Sequence, residues 1–292
     1  MVTKRILITG ATGNVGMEVV RFLRQRAFDG QVVIGARNIS EAKTKYQATG
    51  QLEVVRFDFE DAGTFKSALE NMDAVFLLRP PHISEVDRYF KPLVEAIKRS
   101  GVQEVVFLSV QGAEKSKVIP HNQIEKLIAD SGINYIFLRP SYFMQNLTTT
   151  LLKDIQQKRK IILPAGRAKF NWIDIENIGE TVAILFERFL EYSNKAIELT
   201  GYENKSFGEA AELISQLTKC KVEFVNLNPI WFYQLKKREG MPSGMILVMI
   251  FLHFLPRFQK EPRISGFYEE VTGNKPTSLR DFILRQQAEF DR

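Results

Sequence analysis

The chain has 292 residues, of which 45% are hydrophobic, and carries 40 lysines and arginines against 34 aspartates and glutamates. This length suits one large α/β domain with an appended lobe and is enough to bury a sizeable core. The formal charge of +6 is spread over mixed-sign segments with no arginine-rich block, which argues against a nucleic-acid partner.

The first element, within Lys4–Gly16 (KRILITGATGNVG), joins an apolar strand around Ile6–Ile8 to a helix over Val15–Leu23. Gly10, Gly13 and Gly16 punctuate the turn between them, and each has a distinct use in a dinucleotide site. Gly10 permits the tight exit from the strand, and Gly13 lets the backbone approach a pyrophosphate. Gly16 lets the helix pack closely on the sheet. Thr12, Asn14 and Val15 complete the turn, whose free N–H groups at the positive end of the helix would hold the anion.

A second strand, Gln31–Ala36, ends at Arg37. A carboxylate near such a point selects the ribose of NAD, whereas an arginine accommodates the 2′-phosphate of NADP. The nearest acid is Glu41, so NADP is favoured over NAD. Strands follow at Leu52–Phe57 and Asp73–Leu78. Asp58 and Phe59 stand where the loop would meet the adenine, and Asp61 or Thr64 could cap the helix ending near Leu69. Leu78 and Arg79, followed by Pro80-Pro81, end the fourth strand at the edge where open α/β sheets bind ligands.

A helix over Ser84–Ser100 leads to the fifth strand, Glu104–Leu108, which ends in Ser109. The helix Asn122–Ser131 and a sixth strand, Tyr135–Leu138, complete the alternation. The fold class is therefore α/β, a Rossmann-like doubly wound parallel sheet with a smaller, mostly helical C-terminal lobe.

Beyond Arg139-Pro140 a helix is expected over Ser141–Asp154, a short strand at Lys160–Leu163 and a helix over Ile175–Phe189. Another strand, Ala196–Thr200, precedes helices at Ser206–Thr218, Pro229–Gly240, Ser243–Leu255 and Ser278–Phe290. Residues 1–140 form the nucleotide-binding domain, with 174–200 packing back onto it. Residues 141–173 and 201–292 form a lobe over the cofactor cleft. Its Trp231, Phe232, Tyr233, Met241, Met245, Met249, Phe251 and Phe254 read as core packing or as the wall of a pocket for a flat apolar substrate.

Cys220 is the single cysteine, and with three scattered histidines it offers neither an internal disulfide nor a metal cluster. No signal peptide opens the chain, and a cytoplasmic location is the natural reading. Met245–Leu255 is strongly apolar but far shorter than the roughly 20 residues of a membrane span.

These residues together carry a resemblance. ITGATGNVG (8–16), GAR (35–37), FLSVQGA (107–113), HNQIEKLIADSGINYIFLRPSYFMQN (121–146), ELTGYENKSFGEAAELI (198–214) and TGNKPTSLRDFI (272–283) resemble the NmrA-like branch of the atypical short-chain dehydrogenases/reductases. Within it the chain looks most like bacterial NAD(P)H:quinone oxidoreductases and triphenylmethane-dye reductases. The resemblance implies a Rossmann domain, a small C-terminal lobe and bound NADP or NAD. Members divide into reductases and proteins that bind the nucleotide only to report redox state.

Typical short-chain dehydrogenases place a Tyr-x-x-x-Lys pair after a serine. Ser109 stands near the serine's position, but no tyrosine occurs between it and Tyr135; His121 and Glu125 occupy the segment instead. The literal match, Tyr233-x-x-x-Lys237, lies in the C-terminal lobe and reads as coincidence. Loss of the tyrosine argues against alcohol oxidation and epimerisation, which move a hydroxyl proton. It leaves open hydride transfer to an acceptor that is already electrophilic.

The function expected is an NAD(P)H-dependent reductase of a quinone or similar small, flat, aromatic acceptor. The proton would come from water, or from Tyr142, Asn146 or His121. The alternative is a non-catalytic NADP-binding redox sensor acting on a protein partner. The assemblies allowed are a homodimer and, for the sensor, that partner; neither a metal nor a membrane span is expected.

Overall fold

The structure, a computed structural model, describes residues 4–47, 50, 52–117 and 119–291. In chain order the elements of its first half are β1 (Lys4–Ile8), α1 (Asn14–Gln25), β2 (Gly30–Ala36), α2 (Ile39–Tyr46), β3 (Glu53–Arg56), α3 (Phe65–Ala68), β4 (Ala74–Leu78), α4 (Val86–Arg99), β5 (Glu104–Leu108), α5 (Pro120–Ser131) and β6 (Asn134–Pro140). There follow β7 (Tyr142–Phe143), α6 (Leu152–Lys158), β8 (Lys160–Leu163), β9 (Lys169–Ile173), α7 (Ile175–Glu187), α8 (Phe189–Tyr192), β10 (Lys195–Leu199), β11 (Asn204–Ser206), α9 (Phe207–Leu217), β12 (Glu223–Asn226), α10 (Pro229–Arg238), α11 (Ser243–Phe254), α12 (Phe267–Thr272), α13 (Leu279–Arg285) and α14 (Gln287–Phe290).

The chain divides into two units: Met1–Pro140 with Ile175–Leu199 and Glu270–Gly273, and Ser141–Asp174 with Thr200–Glu269 and Asn274–Arg292. In the first, seven strands pair in the order β10-β6-β5-β4-β1-β2-β3, every pair parallel. Ile8 sits beside Ile34 on one side and Phe76 on the other. The order reverses between β1 and β4, and all the strands end on one edge.

Near-continuous apolar runs such as AVFLL and EVVFL make buried strands because helices cover both sheet faces. One face sets Leu7, Val33, Val75, Val105 and Phe107 against Phe90 and Leu93 of α4 and Ile124 and Ile128 of α5. The intervening Ile6, Ile8, Phe76 and Val106 are just as buried. Fully burying an aromatic such as Phe76 or Phe107 contributes roughly 1.5–3 kcal/mol. Helices α1 and α7 pack so closely that a Cβ on Gly179 would lie 2.7 Å from the Glu18 carbonyl carbon.

The second unit carries more strand than its sequence suggests. One small sheet orders β11-β9-β7, with β9 antiparallel to β11 and parallel to β7; the other pairs β12 with β8. The helix expected over Ser141–Asp154 is replaced by β7, a 3-10 turn at Met144–Leu147, and α6 starting at Leu152. Aromatic pairing wins there over helical propensity. Tyr142 packs edge-on against Trp172 of the neighbouring strand, with ring centroids 5.0 Å apart. The helix expected to end near Leu69 is a 3-10 turn, Ala62–Thr64, followed by the single turn α3. Asp61 caps that 3-10 turn through Gly63 N–H. Trp172, Phe207, Phe232, Phe282 and Phe290 form the second core.

Candidate functional site

Strand β1 ends at Thr9, whose hydroxyl donates to Phe76 O at 2.8 Å and accepts from Leu78 N–H. The ends of β1 and β4 are thereby tied together at the point where the strand order reverses. Such a switch point is where open α/β sheets take their ligands.

Gly10 then turns the chain with φ +61°, and its missing Cβ leaves room for the Leu78 side chain. Gly13 N–H returns to Gly10 O at 3.0 Å. A Cβ on Gly16 would lie 2.3 Å from that same Gly10 oxygen, so only glycine fits under the turn. Gly13 differs from both. It is the exposed N-cap of α1, has ordinary extended φ and ψ, and supplies no side-chain cap. The helix therefore opens with no side chain satisfying its first N–H groups and no acidic residue in its first turn.

Two residues the sequence reading overlooked hold this turn from α2. Tyr46 OH donates to Ala11 O at 2.6 Å, and Lys45 Nζ donates to Thr12 O at 3.1 Å. Burial pushes the Tyr46 hydroxyl pKa up, so it stays a donor. A lysine and a tyrosine ending a short helix are a weak sequence signal, because such residues commonly sit on solvated faces.

The other nucleotide candidates fall into separate places. Arg37 is exposed directly after β2. Asp58 is half-buried, and its carboxylate accepts from Glu60 N–H at 3.1 Å. Phe59 is packed into the core, edge-on to Phe57 at 4.9 Å, so it can meet a ligand through its backbone rather than its ring.

At the ends of β4, β5 and β6 the polar groups face one another. Arg79 donates through Nη1 to the carbonyls of Pro80, Pro81 and Ile83, and its Nε lies 3.5 Å from His121 Nε2. Burial, and then the Arg79 charge, push the His121 pKa down to about 3. The value near 6.5 expected for a free imidazole does not apply, and His121 is neutral.

Ser109, also buried, donates through Oγ to Glu125 Oε1 at 2.6 Å. Glu125 is gripped in turn by Arg139, Nε to Oε1 at 2.9 Å and Nη2 to Oε2 at 2.6 Å. This bidentate grip, outweighing desolvation, raises the Arg139 pKa. The helical segment without a tyrosine thus offers a buried carboxylate to Ser109. Arg139, the last residue before Pro140 in β6, had not been singled out as its partner.

Tyr142 and Asn146 lie in the second unit, on β7 and a 3-10 turn rather than on the helix expected over Ser141–Asp154. The Tyr142 hydroxyl lies 3.0 Å from His253 Nε2, while His253 Nδ1 lies 2.6 Å from Met249 O. A carbonyl only accepts, so the proton sits on Nδ1 and Tyr142 donates to Nε2. Burial lowers the His253 pKa to about 4 and raises that of Tyr142. His253 is the lone polar side chain in the last eight residues of α11, which was the available signal for it.

The literal Tyr-x-x-x-Lys match also has a structural role. Tyr233 OH and Lys237 Nζ both donate to Ser243 Oγ, at 3.1 and 3.0 Å, and staple α10 to α11. Of the residues named for an apolar pocket, Phe232 and Met249 are buried in the core of the second unit, whereas Trp231, Met245 and Phe251 are exposed. Among the described residues, no group of three His, Cys, Asp or Glu side chains is placed to hold a metal, and no helix is long and apolar enough to cross a membrane.

Comparison with known proteins finds relatives along nearly the full length of the chain. A protein of Dictyostelium discoideum named prestalk A differentiation protein A is 29% identical over 280 residues, covering 95% of this chain and 90% of its own. NAD(P)H azoreductase of Xenophilus azovorans is 26% identical over 289 residues, covering 98% and 99%. The fold matches NADPH-dependent quinone oxidoreductase of Escherichia coli in complex with NADPH, with a TM-score of 0.85, 23% identity, and coverage of 96% and 99%. The family model that matches spans residues 2–279, from before the glycine turn to the start of α13, and the chain belongs to the NmrA-like family.

Proposed function

We propose that the protein is an NAD(P)H-dependent oxidoreductase, preferring NADPH, that reduces quinones or similar flat electrophilic acceptors. The observation that carries this reading is the glycine turn at the switch point. There Gly13 leaves the N-terminus of α1 exposed without a side-chain cap, and Gly16 seats the helix against Gly10. Both features fit a dinucleotide pyrophosphate. The names of the azoreductase and of the quinone oxidoreductase lend the reading support.

Asn14 and Val15 would hold the pyrophosphate through their N–H groups, with Gly13 leaving the backbone open to its approach. Arg37 would take the 2′-phosphate, and Asp58 with the Phe59 backbone would border the adenine. Leu78, Arg79 and Ser109 would flank the reactive end of the nucleotide. The chemistry supplied by the bound nucleotide is hydride transfer to the acceptor. Neither His121 nor Tyr142 is a ready acid: the first is neutral, and the second directs its proton to His253. Water is then the proton source, which suits acceptors that take hydride before they need a proton.

The same lack of a poised acid favours one other reading, a sensor that binds NADP without turning it over. NADPH oxidation measured with a panel of quinones and azo dyes, beside a no-acceptor control, separates the two. Acceptor-dependent oxidation supports the reductase; nucleotide binding without turnover on any acceptor refutes it in favour of the sensor.

A further inference from the structure

We propose that the second unit docks on an anionic bilayer surface through the outer face of α11 and the basic cavity beside it. This inference does not depend on the proposed reduction.

Helix α11 (SGMILVMIFLHF) is apolar all round. Ile246, Met249 and His253 face its core, while Leu247, Val248, Phe251 and Leu252 face solvent, with Val248 64% and Phe251 55% exposed. The apolar surface continues into the 3-10 turn Leu255–Phe258, where Phe258 is 74% exposed. A soluble monomer rarely leaves a contiguous apolar face of this kind uncovered. The helix is 12 residues long, too short to span a bilayer but suited to lying in its interface.

The same 3-10 turn forms one wall of a cavity of about 550 Å³, lined by Arg167, Lys169, Arg257 and Lys260. Gly166, with φ +56°, leaves space for the Arg257 guanidinium, since a Cβ there would lie 2.7 Å from Arg257 Nε. Lys169 pairs with Glu261 at 3.2 Å. Among the described residues, no ion pair is formed by Arg167, Arg257 or Lys260. Apolar side chains and unpaired cations thus leave the protein from one turn, which is the arrangement that places phenylalanine among acyl chains and arginine among phosphates.

Charge complementarity decides between a bilayer and a second copy of the chain. In residues 229–263 Lys236 is buried against Asp154 and Glu239, and the exposed charges are Lys237, Arg238, Arg257, Lys260 and Arg263 against Glu239 and Glu261, a net +3. A twofold interface pairs one surface with itself, so it would press this positive rim against its own copy. An anionic bilayer neutralises it instead.

The test is cosedimentation of the full chain with vesicles of phosphatidylcholine alone and of phosphatidylcholine with phosphatidylglycerol. Binding to the anionic vesicles that falls with added salt is the expected result. Replacing Arg257 and Lys260 together by alanine should weaken partitioning about thirtyfold. Val248→Ser with Phe251→Ser should weaken it at least about tenfold, with the melting temperature retained because both side chains are exposed. Absence of binding to the anionic vesicles, or equal binding to both vesicle types, overturns the proposal. So does a dimer that these serine substitutions dissociate, if the wild type binds no vesicles.

Discussion

Gly13→Val and Gly16→Ala should separate nucleotide binding from folding within one turn. At Gly13 the backbone has φ −92° and ψ 171°, a conformation that suits a β-branched residue, and the position is exposed. The added Cβ would lie 3.3 Å from Gly10 O, a contact relieved by a shift of a few tenths of an ångström. Losing glycine at an N-cap costs about 0.5–1 kcal/mol. Removing a glycine from the unfolded chain returns about 0.4–1 kcal/mol. The two nearly cancel, so the melting temperature should move by less than about 4 °C.

Gly16→Ala is different, because its Cβ would meet backbone on two sides, Gly10 O at 2.3 Å and Ala11 Cα at 2.7 Å. Overpacking of that kind costs about 1–3 kcal/mol, or roughly 2–10 °C. Titration calorimetry with NADPH then reads the other axis. Displacing an anion from charge-assisted N–H contacts should cost Gly13→Val roughly ten- to a hundredfold in affinity. A folded Gly13→Val protein that binds NADPH like the wild type removes the nucleotide from this turn. A Gly16→Ala protein of unchanged stability refutes the packing argument.

Arg37→Ala should weaken NADPH by roughly ten- to a hundredfold and leave NADH nearly unchanged; equal weakening of both would make Arg37 merely structural. Tyr142→Phe leaves the His253 Nε2 acceptor unsatisfied and should cost about 1–3 kcal/mol in denaturant unfolding. Its kcat should fall less than about tenfold, and a thousandfold loss with NADPH affinity intact would make Tyr142 an essential acid after all. The folded pKa of His253 is depressed, so its contribution to stability is complete above the unfolded value near 6.5 and is lost as pH falls toward about 4. The loss is on the order of 3 kcal/mol, and melting curves across that window should slope less in His253→Gln; an unchanged slope would refute the assignment.

The inner β-strands of the first unit were legible because each holds an apolar run between turn residues, the pattern that burial on both faces requires; the edge strands β3 (EVVR) and β10 (KAIEL) carry exposed charged residues and show it less. Glu104–Leu108 was read to its exact ends. The glycine turn was legible for a related reason: Gly10 and Gly16 are required by local geometry, a positive φ and a backbone contact that any Cβ would break. Local requirements leave local marks. The strands β7, β9, β11 and β12 have two to five residues each, and they are specified by cross-strand partners far away in the chain. Tyr142-Phe143 becomes a strand because Trp172 and Ile173 lie beside it, thirty residues on.

The same distinction governs the polar groups. His121 and Glu125 were visible as a pair four residues apart, yet their roles depend on distant arginines. Arg79 helps keep His121 neutral, and Arg139 makes Glu125 a fixed acceptor for Ser109. From the sequence alone His121 stands as one of three candidate proton donors beside water. Truncating one member of a buried pair such as Glu125–Arg139 leaves the other charge uncompensated, at a cost of about 3–5 kcal/mol. The edge of the sheet beside the glycine turn is therefore held by groups that gain little from moving. That rigidity suits orientation of a reactive nucleotide more than exchange of protons with it, and it is the physical reason for looking to water, rather than to a side chain, for the proton.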